Sequence, residues 1–156
     1  MYALTATAII LRDDGASIPT DPGNTDYQVY LAWVAAGNTP TPYAPPAPTP
    51  ASLAAAALAA GLTITSTSTP ALNGTYACDT QTTFEIAQVD LYVLQNGTFP
   101  GGMTSYPWTD ATGGVHVFPN ITLYKEWAVA IANFVAACKL AGVGAGALPA
   151  NLAVIA

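Results

Sequence analysis

The chain has 156 residues, 52% of them hydrophobic, but 31 are alanine, so the apolar fraction overstates the bulky side chains available for a core. Only 8% are charged, against about 25% in ordinary soluble domains. The net charge is −6 with three cations, Arg12, Lys125 and Lys139, too few to neutralise a phosphate backbone or an anionic bilayer, so neither nucleic acid nor membrane is expected as a partner. Twenty threonines carry much of the polarity, which suits a surface that packs against copies of itself or other subunits; a compositional bias of the genome would give the same excess.

The opening "MYALTATAIILRDD" (1–14) has no basic region before its apolar stretch and meets Asp13 and Asp14 early, so no secretory signal is expected and synthesis is placed in a cytoplasm. "ATAIILRDDGASIP" (6–19) reads as a strand, a tight turn at Asp14-Gly15 and a short return. "TDPGN" turns the chain, and Asn24 is placed to cap a helix. On that helix Tyr27, Tyr30, Leu31 and Val34 follow i, i+3, i+4, i+7 spacing, and Gly37 is placed as the stop. Residues 1–38 are thus a small strand–helix head. Tyr27, Tyr30 and Trp33 either pack onto the head's own strands or form an exposed aromatic interface.

"TPTPYAPPAPTP" (39–50) admits neither helix nor central strand, because proline lacks the N–H and fixes φ. As polyproline II its 12 residues would be a spacer of roughly 37 Å, at about 3.1 Å per residue. A mixed helix and β-hairpin module (51–141) is expected next, making the whole chain α+β. "SLAAAALAAG" is a helix capped by Ser52 and stopped by Gly61, lean enough to pack closely on a neighbour. "LTITSTST" alternates as a strand with one polar face, and "TYACD" returns as a second strand. Asp79 caps a helix over about 80–95 with Phe84, Ala87, Leu91 and Ile86, Val89, Val93 as its apolar positions. "PWTDATGGVHVF" is a hairpin. Asn120 caps the longest helix, about 121–140, whose stripe of Ile121, Tyr124, Ala128, Ile131, Val135 and Cys138 is widened by Leu123, Trp127 and Phe134. Residues 142–156 form a flexible tail whose apolar end could dock as an edge strand. No apolar run approaches the roughly 18–20 residues of a membrane span. The three Asn-x-Thr triplets at Asn73, Asn96 and Asn120 sit at expected turns or caps.

Little here points to catalysis. His116, the single histidine, alternates with Val115 and Val117, so it is expected on the outer side of its strand. No serine or cysteine lies in an elbow motif, and "GVGAG" lacks the strand and lysine of a nucleotide loop. Asp13, Asp14, Asp21, Asn24 and Asp26 suggest calcium, but they lack the alternation and closing glutamate of a calcium-binding loop, so turn and cap roles are preferred. Cys78 and Cys138 lack metal-ligand spacing and read as two buried thiols, with a disulfide the other option. No cofactor and no metal are expected. Tyr106, Trp108 and Asp110 are the one candidate ligand contact, aromatic rings beside a carboxylate being suited to sugars.

The segment "IPTDPGNTDYQVYLAWVAAGNTPTP" (18–42) resembles the N-terminal segment of many small bacteriophage tail-fibre-associated proteins: Ile-Pro, Asp-Pro-x-Asn, an aromatic pair, Trp, Gly-Asn-Thr-Pro and a proline-rich spacer. The second module, through "ALNGTYACD", "NGTFPGG", "PWTDATGGVHVF" and the helix with Trp127 and Phe134, resembles a domain attached to phage tail fibres and their neighbours. Together the resemblances cover about two thirds of the chain and imply a non-enzymatic, oligomeric part of the virion tail, baseplate or tail-fibre apparatus. Its partners would be other tail or baseplate proteins. The alternatives are an assembly chaperone absent from the finished particle and a carbohydrate-binding module facing the host. The chain departs from the pattern in having no long fibre-forming repeat.

Overall fold

A computed structural model describes residues 1–156 as a mixed α+β protein, four helices and eight short strands, in two compact units, Met1–Ala47 and Pro48–Ala156.

The first unit is an antiparallel meander, β1 (Tyr2–Leu4), β2 (Ile9–Arg12) and β3 (Ser17–Pro19), with helix α1 (Thr25–Ala35). Strand β1 was not anticipated, because the turn after it has neither Gly nor Pro. Thr5 makes the turn instead: its hydroxyl donates to the Ile9 carbonyl (2.6 Å) and accepts from the Thr7 N–H (3.3 Å). Register pairs Leu4 with Ile10 and Ile10 with Ile18, so these side chains and Tyr2 share one face. Tyr2, Ile10, Ile18 and Tyr30 form the buried core of the unit. Asn24 caps α1, its Oδ1 accepting from Tyr27 N at 3.1 Å, and Gly37 follows at φ +88°. Leu31, expected on the inner face, is instead exposed.

The proline-rich segment is shorter than expected, because it is trimmed from both ends. Thr41 bridges to β1, its N–H donating to Tyr2 O and its carbonyl accepting from Leu4 N, each at 2.9 Å. At the other end Thr49 is the cap of helix α2 (Pro50–Ala60) and Pro50 is its first residue. The Thr49 hydroxyl accepts from Ser52 N at 3.1 Å, so the cap lies three residues before the expected Ser52. Residues 42–48 remain without regular structure.

The second unit is built round helix α4 (Ile121–Gly142). Strands β4 (Leu62–Ser66) and β5 (Gly74–Tyr76) pair antiparallel, and β8 (Leu152–Ile155) joins β4 in parallel, giving the order β5-β4-β8. The apolar end of the C-terminal stretch thus docks as an edge strand, as its sequence allowed. Asn151 holds it there, its Nδ2 donating to the carbonyls of Ala57 (2.9 Å) and Gly61 (2.7 Å) at the end of α2. Gly61 has φ +76° and a β-carbon there would stand 2.5 Å from the Tyr76 carbonyl, so only glycine fits. Helices α2 and α4 approach closely: a β-carbon on Gly142 would lie 3.2 Å from Ala54 Cβ.

Helix α3 (Thr80–Asn96) is capped by Asp79 and buries Ile86, Val89 and Val93, while Phe84 and Leu91 are exposed. Strands β6 (Tyr106–Thr109) and β7 (Val115–Phe118) form the hairpin. Asn120 caps α4, accepting from Leu123 N at 2.9 Å. Trp127, Tyr124, Ile131 and Cys138 of α4 are at most 1% exposed and join Leu62, Ile64, Leu72, Tyr76, Phe99 and Phe118 in one core. Helix α4 runs 22 residues and holds an 18-residue window of mean hydropathy 1.2, long and apolar enough to cross a bilayer by length and composition alone. In this fold the buried face of α4, Trp127 and Ile131 at its centre, belongs to the core of the unit.

Candidate functional site

Two groups of residues were singled out by sequence, and the structure treats both alike: it spends most of their side chains on packing. In the first unit Tyr30 is 9% exposed and Tyr27 and Trp33 are half-buried. The Tyr2 ring meets Tyr30 and Trp33 edge-on, with centroids 5.2 and 5.0 Å away, and Tyr27 and Trp33 stack on either side of Tyr30 at 6.0 and 6.4 Å. The three rings are therefore the lid of the unit's own core rather than a free interface. What the unit exposes is the opposite face of its sheet, Ile9 and Leu11, and the outer side of α1, Val29 and Leu31. The signal for the former lay in the run Ile9-Ile10-Leu11, where alternation must turn one of the two parities outward.

Arg12 ties the sheet to the helix, its Nε donating to Asp14 Oδ2 (2.9 Å) and its Nη1 to Asp26 Oδ1 (3.0 Å). Asp21 accepts from Gly23 N at 2.8 Å. The acidic stretch considered for calcium thus serves turns, a cap and an arginine.

In the second unit the hairpin is inverted relative to expectation. Register pairs Trp108 with His116 and Tyr106 with Phe118, which places these four on the core side and turns Val115 (67% exposed) and Val117 (50%) outward. The cause is visible around His116. Its Nδ1 lies 2.7 Å from the Ala71 carbonyl and its Nε2 3.0 Å from Asp110 Oδ2. A carbonyl and a carboxylate can only accept, so both ring nitrogens carry hydrogen and the imidazolium is the form that satisfies the site. Burial opposes the charge, but the Ala71 carbonyl and Asp110 outweigh it and raise the His116 pKa above its ordinary value. Asp110 is held well below the usual carboxylate range, first by His116, then by the Thr112 hydroxyl, with the Gly114 and Thr112 N–H groups also donating. Both side chains are nearly covered, at 12% and 8% exposure.

Glycine at 74 and 114 makes room for this pair. A β-carbon on Gly74 would stand 2.9 Å from His116 Nε2, and one on Gly114 3.0 Å from Asp110 Oδ2. Asn73 accepts from Ser66 N at 2.7 Å, and Ala111 N donates to Thr75 O at 2.8 Å. Hence "ALNGTYACD" and "PWTDATGGVHVF", far apart in sequence, are stitched to one another through Ala71, Gly74, Thr75, Asp110 and His116. With both nitrogens engaged, His116 has none left to take a proton from a nucleophile in this arrangement.

Asp110 is therefore committed to His116 and the turn, and it does not line the groove beside Tyr106 and Trp108. Tyr106 and Trp108 border a mainly polar groove of about 300 Å³ with Thr82, Glu85, Pro107 and Thr109. Tyr106 stacks on Phe99 at 5.3 Å, and Trp108 lies against Trp127 at 5.0 Å. The carboxylate that accompanies them is Glu85 of α3, which sequence reasoning had not connected with the hairpin. Nothing local could have done so, since the contact depends on how α3 is laid beside β6. Cys78 and Cys138 are free and buried in the same core; burial pushes Cys78 up to about 11 and raises Cys138 as well.

No protein-family model, no curated protein and no solved structure matches the chain.

Proposed function

We propose that the protein is a non-enzymatic component of a bacteriophage tail, baseplate or tail-fibre apparatus that acts by docking onto other tail proteins. The carrying observation is that the first unit closes a core of its own from Tyr2, Ile10, Ile18 and Tyr30 yet leaves Ile9, Leu11, Val29 and Leu31 exposed. A unit of 47 residues with four large apolar side chains in water gains from covering them, and a partner surface does so. The docking contact is accordingly moved from Tyr27, Tyr30 and Trp33 to these residues. The sparse charge and the resemblance over residues 18–42 support the same reading, with the virion as its location.

Mass spectrometry of purified virions tests it, with copy number measured against a known tail protein. Presence at a multiple of three or six supports a structural part. Presence in the lysate but not the particle would establish the assembly chaperone instead.

A second reading is favoured by one observation, the groove that places Glu85 beside Tyr106 and Trp108. Aromatic rings and a carboxylate are the groups that hold a sugar. Glu85→Ala leaves the aromatic packing untouched, so loss of host adsorption with unchanged folding would favour a glycan-contact role.

A further inference from the structure

Strand β8 has one side without a partner. It pairs only with β4, and the bonds Thr63 N–H to Asn151 O and Thr67 N–H to Ile155 O set the parity of the ladder. Residues 151, 153 and 155 face β4, so the N–H and C=O groups of Leu152 and Val154 point to the free edge. The next outward N–H, that of Ala156, donates to Glu126 Oε2 at 2.9 Å. Side chains add to the invitation: Leu152 is 58% exposed and Val154 65%. Natural edge strands are guarded by charge, proline or a bulge. Residues 152–155 have none of these, and residues 140–156 contain no charged side chain.

We propose that β8 pairs with β8 of a second copy, antiparallel, about a twofold axis at Ala153. The register is self-complementary. Leu152 of each copy falls opposite Val154 of the other, and those are the residues whose backbone groups face outward, so both pairs bond in both directions. Four hydrogen bonds form, and each Leu152 side chain lies across from a Val154 on the exposed face. Ala153 meets its mate on the opposite face, where a groove of about 400 Å³ lined by Ala130, Phe134, Ala137 and Pro149 leaves room beside the strand. The result is a continuous six-stranded sheet, β5-β4-β8 followed by its twofold copy. A second copy fits better than an unrelated strand because one four-residue segment supplies both halves of the match, and no charge opposes itself across the axis. This inference stands apart from the tail-protein reading and would hold for any function of the chain.

Sedimentation of the full chain across a concentration series tests it, with circular dichroism and thermal unfolding as controls for folding. Val154→Pro removes an outward N–H while leaving every bond to β4 in place, and Leu152→Lys puts two charges at the seam. Each is expected to raise the dimer dissociation constant at least tenfold. Ala153→Cys is expected to give a disulfide-linked dimer under mild oxidation, because non-bonded antiparallel neighbours lie about 4.5 Å apart at Cα. A wild-type chain that stays monomeric at all concentrations overturns the proposal. So does a dimer that survives both Leu152→Lys and Val154→Pro, or one that Ala153→Cys fails to cross-link. Should the proline variant not fold, the lysine and cysteine variants decide.

Discussion

His116 joins Asp110 on one side of its ring, at 3.0 Å, and the carbonyl of Ala71, 45 residues earlier, on the other, at 2.7 Å, so a single side chain staples the hairpin turn to the 3₁₀ turn Pro70–Leu72. An ion pair of this kind imprints a pH window on stability. The Asp110 pKa is depressed by folding, so its contribution is present above the unfolded value of about 3.9 and is lost as pH falls through the lower folded value. The His116 pKa is raised, so its contribution is complete below the unfolded value of about 6.5 and is lost as pH rises through the folded one. Thermal unfolding should therefore show greatest stability from this pair between about pH 4 and 6.5. In His116→Ala the melting temperature should be lower throughout, and the decline above pH 6.5 should flatten. An unaltered alkaline limb would mean that the imidazole is not charged in the folded state.

The hairpin's inversion makes a second, sharper test. Phe118 is fully buried and Val117 half exposed. Phe118→Ala should cost about 3–5 kcal/mol, whereas Val115→Ala and Val117→Ala should each stay within about 0.5 kcal/mol. Urea denaturation measures both. The opposite ranking would restore the outward histidine.

Removal of the Thr49 hydroxyl should cost helix α2 about 1 kcal/mol, because Thr49 Oγ1 is the acceptor for Ser52 N. The Ser52 hydroxyl, which only donates back to the Thr49 carbonyl, should matter less. Equal losses for Thr49→Ala and Ser52→Ala would show that the cap is not where the structure has it.

In the first unit, Tyr30→Ala removes the ring about which Tyr2, Tyr27 and Trp33 are arranged, and should unfold that unit. The pair Ile9→Ser and Leu11→Ser should leave it folded, with near-wild-type circular dichroism, while preventing incorporation into particles. Normal incorporation of the serine variant would remove this face as the docking surface.

The thiols should be inert in the native protein. With Cys78 at about 11 and both groups buried, alkylation by iodoacetamide near pH 7.5 should proceed at a small fraction of the rate seen in denaturant, as read by mass spectrometry. Fast labelling of the folded chain would show that the core opens.

Local chemistry was legible wherever a short stretch of chain satisfies itself. Asn24, Asp79 and Asn120 cap their helices, Gly37 follows α1 at positive φ, and most of the α4 stripe is buried, because caps and helical periodicity depend on neighbours within one or two turns. The mixed α+β class followed from those elements. Thr5 hid a strand by doing the work of a glycine turn, and Thr49 displaced Ser52 because a cap followed by proline begins a helix earlier. Which parity of β7 faces inward lay beyond any local pattern. Valines on either side of a histidine argue for a buried valine face, yet Asp110, Ala71 and Gly74 together offer the histidine two acceptors and the space to reach them. Packing likewise chose Ile9 and Leu11 over Tyr27, Tyr30 and Trp33 as the exposed apolar groups, and laid β8 in parallel beside β4. These outcomes depend on partners tens of residues away, whose alignment exists only once the chain has closed on itself.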